Sequence, residues 1–134
     1  MLGRFLERLH RGKSAPLTGA PSVRRQKTYS AQSGYVYQYV YEGHRKRAGD
    51  AEYVFNVTSD RKTFFPVPVV LPDDAVETWE RAHDFKLRDN ERHGIVKLAL
   101  CQAFDERVDP GQMHTPVMIR LADLEAIVET LRII

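Results

Sequence analysis

YVYQYVYE, residues 35–42, alternates without a break. Successive side chains of an extended chain point to opposite faces, so Tyr35, Tyr37, Tyr39 and Tyr41 share one side, and Val36, Gln38, Val40 and Glu42 the other. This predicts a strand whose aromatic side faces a core. Residues 52–58, EYVFNVT, repeat the pattern with Tyr53, Phe55 and Val57 on the apolar side and Val54 on the other. Between them GHRKRAGD carries Gly43 and Gly49, which predicts an antiparallel hairpin with an exposed basic loop at Arg45, Lys46 and Arg47. Beyond the turn at 59–62, TFFPVPVVL aligns Phe65, Val67, Val69 and Leu71 on one face. Pro66 and Pro68 lose their N–H on the same side, so this third strand is expected at an edge.

Helical spacing takes over after Leu71. Asp73 or Asp74, with Glu77 following, forms a start signal, and Val76, Trp79, His83 and Leu87 recur along one stripe. Asp89 or Asn90 can cap a second helix. Its stretch IVKLALCQAF, residues 95–104, is interrupted only by Lys97 and Gln102, which predicts a helix buried on most sides. Val108–Gly111 is a turn and 116–120 a short β-type run. In the last segment Leu121, Leu124, Val128 and Leu131 form a docking stripe. With an N-terminal helix in front, the expected fold is α+β. A three-stranded antiparallel meander is covered on one face by helices, in the order α-β-β-β-α-α-β-α.

The leading residues divide from this body. Leu2, Phe5, Leu6 and Leu9 form one apolar helical stripe, and residues 13–27, KSAPLTGAPSVRRQK, have no sustained apolar periodicity. Residues 1–27 are therefore expected to be a basic amphipathic helix with a linker arm, and residues 28–134 a single domain. Charge follows the same division. Up to Arg47 the chain holds ten Lys or Arg against Glu7 and Glu42, whereas the remainder holds ten against sixteen acidic residues. A basic segment on an acidic body suits an anionic partner, the acidic body of a second copy, or its own body.

With 134 residues, 43% of them hydrophobic, the chain has the makeup of one domain able to bury a core without disulfides. No apolar run approaches the roughly 20 residues of a membrane-spanning helix. Arg4, Glu7 and Arg8 break the continuous apolar core that a secretory signal needs. With Cys101 alone, no internal disulfide can form, which points to a reducing, cytoplasmic setting.

Chemical motifs are sparse. His83-Asp84 and Glu80-x-x-His83 match fragments of metal sites whose other ligands are missing, and His10, His44, His93 and His114 share no ligand spacing. Cys101 lies among Leu98, Leu100 and Phe104 and reads as a packed thiol. No phosphate loop, dinucleotide fingerprint or serine elbow is present, so neither metal nor cofactor is expected. The function expected is a non-catalytic protein-binding or assembly module with a protein partner or second copy. Its contact residues are drawn from Arg24, Arg25, Lys27, Arg45, Lys46 and Arg47, and from Leu2, Phe5, Leu6, Leu9, Val40 and Val54. A nucleic-acid binder using the basic arm and hairpin loop stands second. A small hydrolase near His83 and His93 stands third, and contact with a membrane surface ranks below protein contact.

Overall fold

The tyrosine strand runs further than its alternation. In a computed structural model, which describes residues 16–134, the strands are β1 (Lys27–Ser30), β2 (Val36–Arg47), β3 (Asp50–Thr58), β4 (Phe65–Pro72) and β5 (Val117–Met118). The helices are α1 (Asp73–His83), α2 (Asp89–Glu106) and α3 (Leu121–Leu131), with a 3-10 turn at Pro110–His114. The expected N-terminal helix lies outside the described residues. The expected three-stranded meander is a five-stranded curled sheet in the order β1-β2-β3-β4-β5, antiparallel through β4 and parallel between β4 and β5. The α+β class holds.

The basic loop between the first two expected strands is itself strand. Ala48 and Gly49 take positive φ of 56° and 85°, the backbone a two-residue hairpin turn needs to match strand twist. Upstream, Tyr41 pairs with Phe55 while Gly43 pairs with Val54, so Glu42 is an extra, bulged residue. One extra residue inverts every later side chain. Arg45 and Arg47, which would have followed the tyrosines inward, instead pair with Glu52 and Asp50 on the outer face.

β4 is not an edge. The carbonyl of Val70 accepts from the N–H of Ile119 at 3.0 Å, and β5 registers only with Val69 and Val70. Backbone groups two residues apart point the same way, so Pro66 and Pro68 aim their missing N–H at the β5 side. That strand joins only where the prolines stop.

The aromatic face is the core, as expected: Tyr37, Phe55, Val57, Val67, Val69 and Leu71 are each at most 1% exposed. Helix α2 lies against them, and Phe104 stacks on Tyr37 with ring centroids 4.2 Å apart. Helix α1 starts after Pro72 without a side-chain cap, in place of the expected capping box. It ends at His83 because Asp84 turns left-handed (φ 48°), so Leu87 is buried from the following loop rather than from the helix. Helix α2 is capped by Glu91, whose carboxylate accepts from the Arg88 N–H at 2.8 Å. No helix among the described residues is long and apolar enough to cross a membrane.

The outer face is covered in part. Val36 and Phe64 are exposed, but Val54 and Val70 are only 5% and 8% exposed. The bulge brings the long Arg45 and Arg47 side chains to this face, and Leu17 comes up against Gly43, the residue opposite Val54.

Candidate functional site

From residue 16 onward, the expected linker or extended arm is fastened to the sheet. Thr18 and His44 exchange two backbone hydrogen bonds of 2.9 and 2.8 Å, Arg24 pairs with Glu42 at 3.1 Å, and Lys27 enters β1 opposite Tyr39. Two close approaches hold the first fastening. A Cβ on Gly19 would lie 2.5 Å from the His44 ring, and one on Gly43 would lie 2.6 Å from the Thr18 carbonyl. Only glycine fits either place.

Between the fastenings, residues 19–27 border a cleft of about 380 Å³. Every second residue of the segment lines it, from Gly19 through Pro21, Val23 and Arg25 to Lys27, which is the alternation of an extended chain. The floor is Tyr39, Tyr41 and Phe55. The far wall is α2, which contributes His93 and Lys97, one helical turn apart. A second cavity of about 290 Å³ shares Gly19, Tyr41 and His93 and continues past His44 and Tyr53 to Asp89 and Asn90.

Charge in the cleft is one-sided at the arm end. Arg25, Lys27 and Lys97 line it, and among the described residues no carboxylate pairs with any of them. The hairpin cations are matched internally. Arg45 donates to Glu52 at 2.9 and 3.1 Å, Arg47 stands 3.3 Å from the other oxygen of Glu52, and Lys46 reaches Asp73 at 2.6 Å. Glu52 is 3% exposed, so this carboxylate is dedicated to the two guanidiniums.

The titratable groups of the cleft are shaped by burial. His93 presents its ring to the edge of Tyr41 at 4.6 Å, and its pKa is lowered by desolvation, with Lys97 and His44 adding like charge. The Tyr41 hydroxyl lies 3.1 Å from Nδ1 of His44, and burial raises its pKa to about 12. Burial also lifts Tyr39 to about 12, with Cys101 beside its hydroxyl, and raises the Cys101 thiol. These groups are neutral at pH 7, so the three cations set the field of the cleft.

The expected contact residues separate into groups. Arg25 and Lys27 meet in the cleft, whereas Arg24 is paired beside it, and Arg45 and Arg47 face the opposite side of the sheet. Val40 is half-buried, Val54 is buried, and Leu2, Phe5, Leu6 and Leu9 lie outside the described residues. His83 lies flat on Trp79 at 4.5 Å, exposed on its outer side, and lines no cavity with His93. Glu80 is engaged by the N–H of Leu87 at 2.7 Å. Among the described residues no group of three His, Cys, Asp or Glu could hold a metal. Lys97, Val23 and the tyrosine floor lie outside the expected contact residues, the tyrosines because their alternation reads as core. Lys97 was legible only as an interruption in an apolar helix, and the signal for the arm was its alternate residues at 19, 21, 23, 25 and 27. Compared with known proteins, the chain matches no family model, no curated protein and no solved structure.

Proposed function

We propose that this chain is a non-catalytic protein-binding module and that its partner presents an acidic segment to the cleft beside residues 19–27. One observation carries the proposal: Arg25, Lys27 and Lys97 converge on a preformed cavity without a carboxylate, while neighbouring cations are matched inside the fold. A cavity of about 380 Å³ falls in the range of about 300–1,000 Å³ typical of ligand sites, and its aromatic floor with a few convergent charges has the usual makeup of one. The hydroxyl–imidazole contact beside it, Tyr41 with His44, involves a phenol whose pKa burial raises to about 12, which favours binding over hydrolysis. Nucleic acid ranks second because the hairpin cations, which would extend the contact, are held by Glu52 and Asp73.

The test is fluorescence anisotropy of a labelled oligoglutamate peptide titrated with the whole chain and with Lys27→Glu/Lys97→Glu. Binding by the parent, its loss in the variant, and unchanged unfolding of both are expected. If the peptide does not bind while a single-stranded oligonucleotide does, with affinity falling steeply in salt, the nucleic-acid alternative replaces this one.

A further inference from the structure

The cleft contains more than charge, and its apolar part is the more specific feature. Phe55 and Tyr39 are core residues that show one surface to the cavity, and Tyr41 is half-buried beside them. On the arm, Val23 lines the same cavity and is 65% exposed, so most of its apolar surface is left uncovered among the described residues. The Tyr41 hydroxyl is occupied by His44 and the Tyr39 hydroxyl lies by Cys101, so both polar tips of the floor already have partners within the fold. Three cations, an aromatic floor and an exposed valine around one cavity describe the complement of an amphiphilic anion.

We infer that the cleft selects an acidic segment carrying one aromatic or large aliphatic anchor. The anchor lies between Val23 and the floor of Tyr39, Tyr41 and Phe55, and adjacent carboxylates meet Arg25, Lys27 and Lys97. This rests on the acidic-segment proposal and adds the anchor to it. Two physical terms require it. Exposed ion pairs contribute little by themselves, because water and salt screen them and long side chains lose freedom. An aromatic ring taken out of water contributes both area and ring–ring contact, and anchors of this kind dominate binding surfaces.

The experiment uses the full chain and dye-labelled five-residue peptides: tryptophan flanked on each side by two glutamates, the same peptide with alanine at the centre, and the same with lysine for each glutamate. The tryptophan–glutamate peptide is expected to bind at least tenfold more tightly than either of the others. Lys97→Glu is expected to weaken it at least tenfold and to improve the lysine peptide. Tyr41→Leu, a second variant with the charges intact, should weaken the tryptophan peptide and leave the alanine peptide unchanged. Equal binding of the tryptophan and alanine peptides overturns the anchor while leaving the acidic-segment proposal standing. Failure of all acidic peptides, with folded protein, overturns both. Indole-3-acetate as competitor separates the sources of this chemistry: displacement at concentrations no higher than the peptide's Kd would make the ligand a free aromatic carboxylate and overturn the peptide assignment.

Discussion

Replacing Glu52 by alanine tests whether the hairpin cations are truly committed to the fold. The carboxylate is 4% exposed at its side chain and receives Arg45 at 2.9 and 3.1 Å, with Arg47 at 3.3 Å from its second oxygen. Its removal takes the shared carboxylate away from two guanidiniums whose side chains are 19% and 26% exposed. Breaking a fully buried pair from one side costs about 3–5 kcal/mol; the partial exposure of both arginines places this case near the lower end, about 3 kcal/mol. For a chain of 134 residues each kcal/mol corresponds to about 4 °C in Tm, so a fall of about 12 °C is expected. Urea unfolding followed by circular dichroism gives the free energy directly. Lys46→Ala is the control. Its pair with Asp73 is shorter, 2.6 Å, but 64% and 36% exposed, and should contribute less than about 0.5 kcal/mol. Arg45→Met/Glu52→Leu/Arg47→Met should recover at least half of the loss, because apolar groups of similar size can replace a buried ion cluster. A Glu52→Ala loss as small as that of Lys46→Ala would refute the reasoning, and Arg45 and Arg47 would then count as charges available to a ligand.

Two further outcomes follow from the cleft and its fastening. The His93 pKa is held below its ordinary 6.5, mainly by burial and then by Lys97 and His44, with Tyr41 and Asp89 the other groups around it. A depressed histidine contributes stability that is complete above pH 6.5 and lost as pH falls through the folded-state pKa, so the acid limb of the stability curve should be shallower in His93→Gln. An NMR titration of His93 ending at or above 6.5 would contradict this. Gly43→Ala meets both a φ of +129° and the Thr18 carbonyl at 2.6 Å, and should cost about 2 kcal/mol and speed exchange of the His44 amide; Gly34→Ala, at φ +97° with open space, should cost only about 1 kcal/mol. Equal losses at the two glycines would mean that the close approach of the arm contributes nothing.

Local spacing in the chain determined the elements and their faces. Period-two alternation placed Tyr37, Tyr39, Phe55 and Val57 inward. The two prolines identified an unpaired side of β4, and the periodic stripes located three helices to within a few residues. These features were legible because each depends on residues close in sequence. The bulge was not: Glu42 fits the alternation of 35–42, and only pairing with β3 shows that it opposes nothing. From that one residue follow the inversion of Arg45 and Arg47, the burial of Glu52 between them and the cover over part of the outer face. β1 escaped notice because a strand of four residues carries too few side chains to show a period, and β5 was legible only as the β-type run 116–120, not as a parallel partner of β4. The cleft depended on tertiary structure most of all. Arg25 and Lys27 come from one edge of the sheet and Lys97 from a helix some seventy residues later. Their charges meet because the core aromatics draw α2 onto the strand to which the arm is fastened, and a distance between elements is fixed by packing, which no local pattern encodes.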